Sequence, residues 1–422
     1  MAIGNNHHLG LLNTSWTCHR LSPLHHGPLE SGSGLLTSPT ALTTYATRLR
    51  DHLTNSLAGA GAGAGVGIGA GDDEPATAVG VSALGALQSC TWEPISTLDF
   101  LQRGKGVDVD DAIVKKPAGL FITLAYESIT YRAALLAPQT GNTSGTSRSS
   151  QTQPQAQPQK RKRGRPSMKS TSNLSSISTT LPLLLTRLPK PLRESFLSFL
   201  SSNFDTYASP LRISSAGLAG LLEGYVDALS TPAPASGTAG AGGESGSQDQ
   251  NETEEVGDII KELHLTLTFA PPIAPSLRGL NVSIPRETFG VFLRDSKMEG
   301  KGSVLEGLSR YLQKHLAMEL GLPLPSSAPL SSVGENSGNA SLVGGYVRLT
   351  RIACAGFVLT SEGRLKIVGN GKSRNGSGED EEVTGRGRNE GALTAGGVLL
   401  RGVLERAAGV SGRLGDDIDG EE

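Results

Sequence analysis

The sequence predicts an α+β protein whose ordered pieces are interrupted by long disordered insertions. Three observations carry this: paired runs in which apolar and polar residues alternate, several stretches with apolar residues at helical spacing, and 55 glycines and 23 prolines crowded into segments that bury little apolar surface. With the insertions set aside, a chain of 422 residues retains enough for one large domain or two small ones packed together.

An N-terminal α/β part spans 9–136. Leu11 to Leu21, LLNTSWTCHRL, alternates as a strand, and Ser22-Pro23 ends it. Ser38-Pro39 supplies a cap and a first-turn proline, and Leu42, Tyr45, Leu49, Leu53 and Leu57 then repeat every three to four residues as the stripe of a helix. Ala58 to Gly71 is a Gly-Ala repeat, expected to be a flexible insertion. Its GxG patterns have neither the preceding strand nor the following apolar helix of a nucleotide-binding loop. Order resumes from Val81, with a strand around Cys90-Thr91-Trp92-Glu93. A hairpin follows: Leu120, Ile122, Leu124 and Tyr126 alternate on one strand and Ile129, Tyr131, Ala133 and Leu135 on the next, with Glu127-Ser128 at the turn. Residues 137–180 form a disordered basic insertion of Gln, Ser, Thr, Pro, Lys and Arg.

Residues 181–229 are the longest stretch at helical spacing and read as a helical pair. Pro191 suits a first turn, and Leu192, Phe196, Phe199, Leu200 and Phe204 share one face. Ser209-Pro210 breaks the pattern, Leu211 to Ile213 is extended, and Ser214/Ser215 cap a second helix bearing Leu218, Leu221, Leu222 and Tyr225. A disordered acidic linker, 230–258, leads to a C-terminal α/β part, 259–410.

There, Leu263, Leu265, Leu267 and Phe269 alternate with His264, Thr266 and Thr268, predicting a strand with one buried and one polar face. Asn281 to Ile284 is its candidate neighbour. Pro285 opens a helix with Phe289, Phe292 and Leu293. Ser303 and Glu306 form a capping box ahead of Leu305, Leu308, Leu312 and Leu316, and Gly321 and Pro323 stop that helix. A last hairpin is predicted from Tyr346 to Leu359 and Arg364 to Val368, turned at Glu362-Gly363, and a short helix around Val398 to Leu404. An acidic tail occupies 411–422.

Net charge is 38 − 40 = −2, so attraction to nucleic acid has to come from a local patch. Cys18, Cys90 and Cys354 stand without a CxxC, which argues against a disulfide framework and a structural zinc site and fits a reducing compartment. His7, His8, His19, His25 and His26 cluster without Cys or acidic ligands at metal spacing. No export signal or bilayer-length apolar run is present, so an intracellular, soluble chain with no membrane partner is expected. Gly369-Asn370-Gly371-Lys372-Ser373 ends like a phosphate-binding loop, but Lys366 stands where the leading glycine belongs and no apolar helix follows. Nothing in the sequence assigns a nucleophile, a general base, a cofactor or a small-molecule substrate.

The one functionally specific motif is Lys160-Arg161-Lys162-Arg163-Gly164-Arg165-Pro166. Arg-Gly-Arg-Pro resembles the core of an AT-hook, in which two arginines flank a glycine slim enough for the narrow minor groove of A·T-rich DNA. The same run also reads as a nuclear localisation signal or a solvated basic linker. All of these readings except the bare linker place the chain in the nucleus.

Four blocks resemble the CENP-L family of inner-kinetochore subunits: Trp16-Thr17-Cys18-His19-Arg20-Leu21-Ser22-Pro23-Leu24, Asn203-Phe204-Asp205-Thr206-Tyr207-Ala208-Ser209-Pro210-Leu211, the strand Leu263 to Phe269, and Tyr346 to Val368 with Arg348-Leu349, Arg351 and Gly363-Arg364-Leu365-Lys366-Ile367. The resemblance implies a curved, mostly antiparallel sheet with helices packed on one side, and no enzymatic activity. It also implies pairing with a CENP-N-like subunit among other inner-kinetochore proteins on centromeric chromatin. The basic motif and the Gly-Ala repeat depart from the family core, so contact with A·T-rich centromeric DNA is not inherited from it. An architectural AT-hook chromatin protein is the alternative. The stretch from Tyr346 to Leu359, with Tyr346, Val347 and Leu349, is the expected sheet edge for a partner strand.

Overall fold

The computed structural model describes residues 10–29, 34–60, 85–95, 117–138, 177–231, 256–269, 279–298, 304–316, 347–369 and 382–409. Alternating and continuous apolar runs become thirteen strands: β1 (Ser15–Leu21), β2 (Leu24–His25), β3 (Leu87–Ile95), β4 (Gly119–Tyr126), β5 (Thr130–Leu136), β6 (Ser178–Thr179), β7 (Leu183–Arg187), β8 (Ala208–Pro210), β9 (Glu262–Phe269), β10 (Gly279–Pro285), β11 (Val347–Ala353), β12 (Phe357–Thr360) and β13 (Arg364–Ile367). The 3.6-residue patterns become α1 (Pro39–Ala60), α2 (Lys190–Phe204), α3 (Ser215–Ser230), α4 (Arg286–Met298), α5 (Val304–Leu316) and α6 (Glu382–Ala407), with a 3-10 turn at Leu35–Thr37.

Eleven strands form one sheet in the order β10-β9-β11-β12-β13-β1-β7-β5-β4-β3, with β8 also on β1; β2 and β6 pair separately. All these pairings are antiparallel. The strand nearest the N-terminus thus sits mid-sheet, with Trp16 opposite Leu365 and Cys18 opposite Leu185. The α+β class holds, with the N-terminal and C-terminal parts sharing a single sheet.

Helices cover both faces, which differs from the one-sided layering that the resemblance implies. In β7, Leu183 and Leu185 join one core with α3, α4, α5 and α6, whereas Leu184 joins a second core with α1 and α2. Successive strand residues point to opposite faces, so a strand apolar at every position needs a layer on each side. The 181–229 stretch therefore contains a central strand as well as two helices. Those helices lie on opposite faces, with β8 and Leu211 to Ile213 crossing between them.

Two predicted spans gain structure at their ends. Ser178 and Thr179, assigned to the insertion, pair with His25 and Leu24. Residues 256–258, assigned to the linker, join 259 and 260 in a helical turn with Val256 and Ile260 buried. The predicted hairpin arm from Tyr346 to Leu359 is two strands: Cys354 to Gly356 interrupt it, Cys354 N–H donating to the Phe357 carbonyl at 2.8 Å. The short helix around Val398 to Leu404 extends over Glu382–Ala407.

Helix starts are held locally in one case and from afar in another. The Ser214 hydroxyl accepts from Gly217 N–H at 3.1 Å at the start of α3, as its spacing predicts. The start of α5 is capped by Glu223 of α3, whose carboxylate accepts from Val304 N–H (3.3 Å) and Leu305 N–H (3.1 Å). An anion at that position satisfies orphan donors and opposes the positive end of the helix dipole. Ser303 of the predicted capping box lies outside the described residues.

Candidate interaction surfaces

Among the described residues two strands end the sheet, and their sequences treat the exposed backbone differently. β3 carries Glu93, Pro94 and a register shift between Leu87 and Ser89, and its Trp92 is buried against α1 and α2. Charge, proline and bulge are the devices by which natural edges repel added strands. β10, Gly-Leu-Asn-Val-Ser-Ile-Pro, has no charged residue across seven positions and meets a proline only at its last. It pairs with β9 from Gly279↔Thr268 to Pro285↔Glu262, and among the described residues no strand lies on its outer side. Leu280 and Val282 are half-buried against the larger core, and on α4, which contacts β10, Val291 is exposed.

The predicted edge from Tyr346 to Leu359 is not an edge. β11 lies between β9 and β12: Ile352 faces Leu265 on one side and Leu359 on the other. Where β12 stops short, α3 takes over, and Leu349 N–H donates to the Ser215 hydroxyl at 3.0 Å. Val347 and Leu349 are 7% and 1% exposed, so their side chains serve the core. Tyr346 lies outside the described residues. Alternation alone does not distinguish an edge strand from an interior strand with one polar face.

The opposite face of this half of the sheet is polar. With Leu263, Leu265, Leu267, Leu349, Ile352, Leu359 and Leu365 turned into the core, register puts Thr266, Thr268, Arg348, Arg351, Thr360, Arg364, Lys366, Ser15 and Thr17 on the other side. Arg348, Arg351 and Arg364 are exposed and Lys366 half-buried. The acids on β9 to β13 and the turn before β13 are Glu262 and Glu362, and Glu262 is occupied by His264 at 3.5 Å and by the Ser283 hydroxyl. Four cations thus outnumber two acids on these strands and their turn. Basic residues in VRLTRI and RLKI, each next to an apolar one, were the available signal.

Among the described residues the remaining motifs form no further site. Lys160, Arg161, Lys162, Arg163, Gly164, Arg165 and Pro166 lie outside the described residues, as do His7, His8 and Asn370 to Ser373. Among the described residues no group of His, Cys, Asp and Glu has the makings of a metal site. His26 is tied to the Gly27 carbonyl and the Thr179 hydroxyl. His19 is buried with neither ring nitrogen bonded, and burial and the Arg193 guanidinium push its pKa down to about 4. Burial raises the thiols of Cys18 and Cys90 to about 12 and of Cys354 to about 11, so they stay protonated at neutral pH. No described helix is long and apolar enough to cross a membrane.

A family model described as centromere protein L, CENP-L, matches residues 10–408. That span all but coincides with the described fold, which runs from residue 10 to residue 409. No curated protein matches the chain.

Proposed function

Since the chain belongs to the CENP-L family of centromere proteins, with its place at the kinetochore in the nucleus, we propose that it is a non-catalytic assembly subunit that pairs with a CENP-N-like partner through β10 and helps build the kinetochore on centromeric chromatin. The observation that carries the pairing is the unblunted β10 edge, whose alternate residues Leu280 and Val282 continue the core. A partner strand there gains main-chain hydrogen bonds for affinity and continues the apolar face of Leu280 and Val282 with every second side chain for specificity. The experiment is purification of tagged chain from cells together with its stoichiometric partners. Leu280→Lys with Val282→Lys, which points two charges into the docking groove, is expected to cut recovery of the CENP-N-like subunit by about tenfold or more while the circular dichroism spectrum is kept, since an added strand does not tolerate inward charge. Undiminished recovery with the fold intact would sink this assignment.

A second contact, with DNA, is supported by the cationic sheet face and by the hook-like segment. Arg348, Arg351, Arg364 and Lys366 share one face and supply positive charge for phosphates, whereas Arg163 and Arg165 suit the minor groove of A·T-rich duplex. The two separate by salt dependence and by sequence preference. Arg351→Gln with Arg364→Gln is expected to weaken binding to all duplexes and to lower the salt slope by roughly 0.9 for each phosphate no longer neutralised. Arg163→Ala with Arg165→Ala is expected to remove preference for A·T-rich over G·C-rich duplex. Binding that survives both pairs unchanged would remove DNA from the reading. The alternative, an architectural AT-hook protein acting away from centromeres, rests on the hook-like segment alone.

A further inference from the structure

We infer that the acidic segment 410–422 docks on the chain's own cationic sheet face, across Arg351, Arg364 and Lys366. The segment, Val-Ser-Gly-Arg-Leu-Gly-Asp-Asp-Ile-Asp-Gly-Glu-Glu, carries five acids against one base. The face carries Arg348, Arg351, Arg364 and Lys366, and Glu262, one of the two acids on these strands and the adjoining turn, is held by His264 and Ser283. On that side of the sheet α1 and α2 build their core over β3, β4, β5 and β7, and it takes in no residue of β9 to β13.

The point of departure suits the seat. α6 ends at Ala407, and Gly409 follows with φ +71 against the guanidinium of Arg20; a Cβ there would stand 2.7 Å from Arg20 Nη2. Arg20 is three residues along β1 from Thr17, the register partner of Arg364, a separation of roughly 10 Å. The thirteen residues from 410 span at most about 43 Å when extended, and strands lie about 4.8 Å apart. The segment therefore has length to round the end of the sheet at the Ser361 to Gly363 turn, cross β13 and β12, and reach Arg351 on β11. Asp416, Asp417 and Asp419 fall at its middle, and the glycines at 412, 415 and 420 let it follow a turned path.

Such a seat is electrostatic, made of exposed pairs, and is therefore weakened by salt. Any polyanion that uses the same face has to displace the segment first. That consequence rests on the DNA reading above, whereas the seat itself does not.

Among the four cations of the face Lys366 is the one primary amine, and it gives a direct readout. Full-length chain is treated with a zero-length carbodiimide, which joins a carboxylate to an amine in contact with it, at about 50 mM salt and again at about 500 mM, where the screening length is several-fold shorter. The expected result is an amide between Lys366 and Asp416, Asp417 or Asp419 within one chain, mapped by mass spectrometry, several-fold less abundant at high salt and absent from Lys366→Arg. No such cross-link from a Lys366 that does react with a monofunctional amine reagent would overturn the inference. So would a cross-link found only in a species of two chains, which makes it a contact between copies. No duplex is present, so failure here leaves the DNA reading standing.

Discussion

Phe204→Ala is expected to lower stability by about 3–5 kcal/mol and the thermal midpoint by roughly 10 °C or more, read by a melt of the full chain. Phe204 is fully buried at the end of α2, where three elements meet: its ring centroid is 4.5 Å from that of Tyr45 on α1, 6.1 Å from Trp92 on β3 and 6.4 Å from Phe199 earlier in α2. Removing the ring leaves a cavity that rigid helices and a sheet fill poorly, and its packing against three aromatic neighbours disappears with it. Asp205 follows at φ +45 and Thr206 bonds back to Ser22, so the helix end cannot slide inward to compensate. A loss under about 1 kcal/mol would mean that this second core does not hold α1 and α2 to the sheet.

The next largest loss is expected at Gly363. Its φ of +75 is costly for any other residue, and a Cβ there runs into the Leu211 carbonyl oxygen, a backbone atom with no rotamer to yield. The Gly363 carbonyl accepts from Cys18 N–H at 2.8 Å, and the Cys18 carbonyl accepts from Leu211 N–H at 3.0 Å, so the turn fastens β13, β1 and the strand-to-helix crossing together. Gly363→Ala is expected to cost more than about 2 kcal/mol in a urea titration, with the whole transition shifted to lower denaturant. Gly391→Ala is the control: it sits in α6 with nothing within 4 Å of its Cβ, and the change there should be neutral or slightly stabilising. Equal midpoints for the two variants would refute the strained-turn account.

Elements whose signal is local were legible. The alternation of β9, the β4–β5 hairpin, the stripe of α1, the cap at Ser214 and the Glu362-Gly363 turn all follow from residues a few positions apart. What escaped depends on partners far away in sequence. β7 has an apolar run on both faces and is followed at once by a helix-opening proline, so its five residues merged with the helix after them. Glu223 caps a helix some eighty residues later, a role that no spacing rule within α5 reveals. The interior position of β11 was likewise hidden, because strand order is set by which elements cover which face. The hook motif lies outside the described residues, and the cationic face emerges only when β11 and β13 are laid in register.

The position of β1 also bears on how the chain is made. Residues 15–17 pair with residues 364–366, so one side of this mid-sheet strand stays open on the ribosome until most of the 422-residue polypeptide has been synthesised. Contacts that distant in sequence close slowly, and apolar strands left waiting are prone to pair with the wrong neighbours. Nascent chains of this protein should therefore lean on chaperones, and products of premature termination before residue 364 should be cleared rather than accumulate as a smaller folded form.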